Sequence, residues 1–135
     1  MKMKLMSIAV LGAFLFGARL SAHHSFAAEF DDKKPITLKG TIAKMEWVNP
    51  HSWLYIDVKR PDGTTETWML EFGAPNALYR RGWKKESLPV GAEVTVHGWL
   101  SRTDPLTANA GDAILPDGKK LFAGTSGTGA PSDKR

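Results

Sequence analysis

Hydrophobic and polar residues alternate with a period of two along several short segments of the chain, and this alternation predicts half-buried β-strands. It is clearest over residues 53–59, with Leu54, Ile56 and Val58 at alternate positions, and over 65–72, with Trp68, Leu70 and Phe72. Between them, residues 61–63 read Pro-Asp-Gly, a turn signal because proline fixes φ and glycine accepts a positive φ. The two segments therefore predict a β-hairpin.

Three more segments, 38–47, 93–101 and the weaker 108–115, have strand character. Before the fourth strand, the residues that follow Pro75 predict a short helix that ends at Gly82. This order predicts a mainly β fold, a small five-stranded OB-like barrel with one short helix between strands three and four. A two-sheet sandwich is the alternative.

The two ends of the chain differ in character from its middle. Residues 1–22 have a charged start, an apolar stretch and small residues before a cut after Ala22, the layout of a signal peptide. An uncleaved membrane anchor is the alternative. We expect an N-terminal lead-in over 23–36, the OB-like β domain over 37–122 and a disordered tail over 123–135, which is rich in Gly, Ser and Thr.

Cleavage after Ala22 changes the charge of the protein. The full chain has a formal net charge of +4, but Lys2, Lys4 and Arg19 belong to the predicted signal peptide. Removing these three from the 18 basic residues leaves 15 against 14 acidic residues. A net charge of +1 offers little general attraction to phosphate groups, so we expect no nucleic-acid partner. We also expect no stable membrane span after cleavage, because no later segment is long and apolar enough.

Six segments form a specific set in a fixed order: 22–26 (AHHSF), 38–41 (LKGT), 47–53 (WVNPHSW), 75–78 (PNAL), 80–83 (RRGW) and 115–122 (LPDGKKLF). The set resembles a family of short secreted proteins from Gram-negative bacteria that is known only as a domain of unknown function. The resemblance implies export and a single domain. It implies no activity, substrate or cofactor.

Histidines are the candidate metal ligands, since the chain has no cysteine. If cleavage follows Ala22, the amine and imidazole of His23 can chelate one metal ion, and nitrogen ligands of this kind suit Cu(II). His24, His51 or His97 would complete the site. Copper is therefore the candidate cofactor. The alternative is that His51 caps a turn and that His97 faces solvent.

Aromatic and polar side chains are dense around a single proline between the first two strands. Trp47, Asn49, His51 and Trp53 lie within seven residues, and recognition residues are common on such loops. Their spacing predicts a ligand-binding loop.

Two strand faces carry further aromatic residues. Trp53 and Tyr55 share the non-core face of strand two, and His97 and Trp99 share that of strand four. Exposed aromatics on an OB-type barrel often stack on bases or sugars, so Tyr55 and Trp99 join the candidate ligand-binding residues. The alternative is plain packing, with Phe26, Phe30 or the helix covering this face.

No nucleophile elbow, phosphate-binding glycine loop or His-Glu-x-x-His motif occurs, so we expect no enzyme activity. The sequence favours an exported periplasmic binding module whose partner is an unidentified small ligand or periplasmic protein. Copper binding through His23 is the alternative function. The sequence does not indicate an oligomeric state.

Overall fold

The computed structural model of the protein describes residues 25–124 and 130–131. The predicted signal peptide, and with it His23 and His24, lies outside these residues. None of the helices in the described part is long and apolar enough to cross a membrane.

Six strands and three short helices make up the described part of the chain. In chain order they are α1 (Phe26–Glu29), β1 (Phe30–Glu46), β2 (Trp53–Lys59), β3 (Thr65–Glu71), α2 (Pro75–Arg80), a 3₁₀ helix (Lys85–Ser87), β4 (Glu93–Ser101), β5 (Thr107–Ile114) and β6 (Lys120–Phe122). The prediction of a mainly β fold with a short helix between strands three and four is confirmed, but the predicted number of helices, one, is wrong, since α1 and the 3₁₀ helix are also present. The predicted number of strands, five, is wrong, because residues 120–122 form a sixth.

The strands follow the order β3-β2-β1-β4-β5-β6, and a further pairing joins β3 to β5. This extra pairing is parallel and short, running from Met69↔Thr107 to Glu71↔Asn109. It closes the first five strands of that order into a ring. Strand β6 pairs with the other half of β5, from Asp112 to Ile114, and therefore stands outside the ring.

The hydrophobic core fills the inside of the ring, where the alternating apolar residues of each strand meet. Leu54, Ile56 and Leu70 are completely buried there. Helix α2 and Trp83, which follows it, close one end of the ring. Leu78 of α2 is buried, and the Trp83 ring meets the Phe72 ring edge-on, with centroids 5.4 Å apart. The Trp83 indole also donates a hydrogen bond of 2.7 Å to the Phe122 carbonyl, which fixes β6 to this end.

Strand β1 begins eight residues earlier than the alternation predicted. Residues 30–37 read Phe-Asp-Asp-Lys-Lys-Pro-Ile-Thr, a run of mostly exposed residues without a period of two. They extend because they pair with β4, from Phe30↔Ser101 to Thr37↔His97. Pairing with a distant strand, rather than local preference, places this part of the lead-in in the sheet.

The beginning of the described chain and its last described residues meet on the outer surface of the ring. Phe26 and Phe30 pack with the buried Ala130 and against Trp99. Ala123 is also buried, and its N–H donates to the Gly111 carbonyl at 3.0 Å. Parts of the predicted tail therefore contact the domain.

Gly98 allows β4 and β5 to approach closely next to His97. A Cβ atom at this position would overlap the Asn109 carbonyl oxygen and lie 2.9 Å from its carbonyl carbon. We expect Gly98→Ala to lower the free energy of unfolding by about 3 kcal/mol or more, because the backbone has to move. Urea denaturation measures this effect.

Gly63→Ala is the matched control for Gly98→Ala. Gly63 has a positive φ of 85°, but a Cβ there would meet nothing within 4 Å. We expect a cost of about 1 kcal/mol from the backbone conformation alone. Equal costs for the two substitutions would contradict the close approach at Gly98.

Candidate functional site

The connection between β1 and β2 is a loop with an exposed tip and anchored ends. Val48, Asn49 and Pro50 are exposed at the tip. At one end, the half-buried Trp47 ring packs on the hydrophobic core and stacks on the Tyr79 ring of α2, with centroids 5.3 Å apart. Because large residues hold its ends, the loop presents its tip in a defined position.

At its other end, the loop is held by a cluster of polar side chains. His51 Nδ1 lies 3.2 Å from Glu71 Oε1, and the Asn109 amide donates a hydrogen bond of 3.2 Å to the same oxygen. Glu71 and Asn109 are 5% and 4% exposed, so this carboxylate is almost fully removed from solvent. The His51–Glu71–Asn109 cluster thus joins two buried polar side chains to a partly buried imidazole.

The register of the strands brings this cluster together. Trp53 pairs with Glu71 across β2 and β3, and Glu71 pairs with Asn109 across β3 and β5. Asn109 pairs in turn with Trp99 of β4. These four side chains form one row over the outer face of the ring, and His51 joins the row from the loop.

Burial of the Glu71 carboxylate costs free energy unless hydrogen-bond donors replace the water that it loses. His51 supplies one partner, and since a carboxylate only accepts hydrogen bonds, Nδ1 of His51 carries a proton. The hydrogen bond to Glu71 raises the pKa of His51, partial burial opposes it, and the charges of Glu71 and Glu29 add to the rise. His51 therefore keeps its Nε2 atom as the ring nitrogen for another partner.

Two buried polar atoms near these residues have no hydrogen-bond partner within the described part of the chain. They are Asn109 Oδ1 and Ser52 Oγ. Buried polar atoms in folded proteins are nearly always paired, so these two atoms lack the partners that such atoms usually have. The Asn109 oxygen belongs to the cluster itself.

A second polar group lies farther along β4. His97 Nδ1 is 2.6 Å from Asp112 Oδ1, and Lys120 Nζ is 3.3 Å from the other oxygen of Asp112. The pair borders a groove of about 240 Å³ that Trp99 and Thr37 also line. His97 is thus tied to a carboxylate and does not simply face solvent.

The predicted aromatic residues do not form one surface. Trp53 and Trp99 are separated by Glu71 and Asn109 in the row across the ring. The Phe26 ring meets the Trp99 ring edge-on at 5.5 Å, so Trp99 is partly packed, while it also lines the groove beside His97. Tyr55 donates a hydrogen bond of 3.2 Å to Glu46 beside Trp53.

The histidines predicted as metal ligands do not come together within the described residues. His51 pairs with Glu71, whereas His97 pairs with Asp112. Within residues 25–124 and 130–131, no group of three or more His, Asp or Glu side chains is arranged to hold a metal ion. His23 and His24 lie outside these ranges.

Sequence reasoning identified His51 but missed Glu71 and Asn109. Glu71 falls on the polar side of an alternating strand, and such a position usually faces solvent. Asn109 belongs to the strand with the weakest pattern. The remaining signal in the sequence was that Glu71 stands between two large apolar residues, Leu70 and Phe72.

Comparison with known proteins identifies the family. A model of the family of unknown function DUF6152 matches residues 14–108, and the chain belongs to this family. No curated protein matches the chain. Among solved structures, the chain is similar to the dimeric N-terminal domain of PriB from Thermoanaerobacter tencongensis, at 21% sequence identity and a TM-score of 0.43. The similarity covers 62% of this chain and 96% of that one.

One expectation of the sequence analysis is corrected. The exclusion of nucleic acid as a partner was wrong. The exclusion relied on a net charge near zero. The net charge is a sum over surfaces of opposite sign. A value near zero therefore does not exclude that one positively charged surface binds an anionic partner.

Glu71→Gln tests the electrostatic coupling in the cluster. The amide keeps the shape of the side chain but removes its charge, so we expect the pKa of His51 to fall. NMR titration of the imidazole measures it. Asp112→Asn, beside His97, is the control and should leave the pKa of His51 unchanged.

The same pair makes stability depend on pH. Because folding raises the pKa of His51, its contribution is complete below the ordinary value of about 6.5 and is lost as pH rises through the folded value. We therefore expect the loss of thermal stability from pH 6 to pH 8.5 to be smaller in Glu71→Gln than in the wild type. Equal losses would contradict the coupling.

Proposed function

We propose that this protein is an exported binding module that holds a small ligand at the loop between β1 and β2. The observation that carries the proposal is the His51–Glu71–Asn109 cluster, a buried carboxylate that orients an imidazole at the base of an exposed loop. Such a cluster contributes little net stability, because burial of its charge offsets its hydrogen bonds. A coupled ionisable pair of this kind is therefore a candidate functional site.

The chemistry of the cluster indicates what the ligand offers. His51 presents Nε2, which donates a hydrogen bond in the charged ring that its raised pKa favours, and Asn109 Oδ1 is a buried acceptor. A ligand that both accepts and donates hydrogen bonds therefore fits the cluster. The loop tip adds the Asn49 amide and the apolar Val48 and Pro50. Few polar groups beside apolar ones are typical of small-molecule sites.

Native mass spectrometry of protein taken from the periplasm of a Gram-negative host tests this proposal. We expect a mature chain that begins at His23 and carries a bound small molecule. His51→Ala should reduce its occupancy about tenfold, the effect of losing one hydrogen bond to a buried group.

His97→Ala is the matched control, since it removes the other histidine that is tied to a carboxylate. It should keep the bound molecule. Retention of the same ligand by the His51→Ala variant would reject the site, and a mature chain that still carries residues 1–22 would reject export.

Copper binding is the second candidate function, and one observation favours it. Carboxylates that hold Nδ1 of a histidine commonly orient Nε2 toward a metal ion, and Glu71 holds His51 in this way. Glu29 of α1 acts electrostatically on His51, so the chain passes close to this imidazole a few residues after His23. The His23 amine and imidazole, together with His51 Nε2, would supply three nitrogen ligands.

A calorimetric Cu(II) titration tests this second function. We expect one-to-one binding that weakens about 100-fold when the amine of His23 is acetylated, because the chelate then loses its amine. His51→Ala should weaken binding as well, while His97→Ala should not. Unchanged affinity in the acetylated protein would remove the N-terminal chelate.

A further inference from the structure

Six cationic side chains gather where α2 and the 3₁₀ helix meet the turn between β5 and β6. This surface, called the basic face below, comprises Arg80, Arg81, Lys84, Lys85, Lys119 and Lys120, all of them exposed. The cations come from two segments of the chain that are more than 30 residues apart. Tertiary structure, rather than a single basic run, therefore creates the basic face.

Direct contacts join the two segments. The Arg81 guanidinium lies over the Phe122 ring, 4.0 Å from its centroid. A Cβ atom placed on Gly82 would lie 3.9 Å from the Lys119 ammonium. Lys84 and Lys119 both line a cleft of about 310 Å³ between the segments. Arg81, Lys84 and Lys119 thus lie on one continuous surface, and the other three cations are their neighbours in sequence.

Charge is distributed unevenly over the domain. The basic face holds six cations against three carboxylates, Glu86, Asp112 and Asp117, whereas the rest of the described chain has seven cations and ten carboxylates. Asp112 pairs with Lys120, and Asp117 accepts a backbone hydrogen bond within its own turn. The net charge of the basic face is therefore +3 in a domain that is otherwise negative.

Exposed apolar residues border the cations. Val90 is 73% exposed at the turn before β4, and its neighbour Pro89 lines the same cleft as Lys84. Pro116 is exposed at the other side of the cleft. The aromatic rings of this region already have contacts within the domain. The Arg81 guanidinium lies over the Phe122 ring, and Trp83 is buried.

We propose that the basic face docks the protein on the surface of an anionic lipid bilayer. Cations near such a surface are attracted to its lipid headgroups, and apolar side chains beside them enter the interface. Exposed valine and proline match the acyl boundary of a bilayer, whereas a nucleic-acid strand is usually met by exposed aromatic rings. The inference is independent of the His51 site, which is formed by other residues.

Vesicle flotation tests the docking surface. The full mature chain is mixed with vesicles of 70% phosphatidylcholine and 30% phosphatidylglycerol, or of phosphatidylcholine alone. We expect binding to the anionic vesicles only, and weaker binding when NaCl rises from 50 to 300 mM. Lys84→Gln with Lys119→Gln should weaken it about 25-fold, at roughly fivefold for each cation.

Two matched controls separate the basic face from total charge and total apolar surface. Lys33→Gln with Lys34→Gln removes the same charge from exposed positions at the start of β1, and it should bind as the wild type does. Val90→Ser should weaken binding several-fold, whereas Val48→Ser, at the other exposed valine, should not.

Three results would overturn the proposal. One is equal binding to neutral vesicles, and another is an equal effect of the two lysine pairs. The third is failure to bind vesicles together with binding of a labelled 20-nucleotide single strand that the Lys84→Gln, Lys119→Gln variant loses. That result would assign the basic face to nucleic acid.

Discussion

The short parallel pairing of β3 with β5 is the contact on which the rest of the domain depends. It joins only Met69–Glu71 to Thr107–Asn109, yet it turns an open sheet into a ring that encloses the core. Without it, Leu70 and Ala108 would lie at the open edges of a sheet. An open edge leaves backbone groups unpaired and exposes apolar side chains to water.

The same pairing also creates the polar cluster. Glu71 and Asn109 are cross-strand partners at the place where the ring closes, so closure brings a carboxylate and an amide side by side. Their burial requires a further partner, and His51 provides it from the loop. The candidate site is thus a direct product of the fold: a change that loosens the closure also releases the imidazole.

The sequence predicted those parts of the fold that depend on local pattern. The observed strands over 53–59 and 93–101 have the predicted bounds, because one buried face imposes a period of two. The first half of β1 escaped prediction, since its charged residues extend only by pairing with β4. The candidate site was also predicted only where a local pattern marks it. His51 was recognised from its loop, while Glu71 gains its role from Asn109, 38 residues away, through a contact that no local pattern records.

The uneven charge of the domain gives it an electric dipole that points toward the end holding α2 and β6. A dipole turns in the field of a charged surface before any contact is made. At physiological ionic strength this torque acts over about 8 Å, the distance at which salt screens charges. The domain would therefore arrive with one end already facing an anionic partner, and the rate of productive encounters would respond to salt more strongly than the lifetime of the bound state.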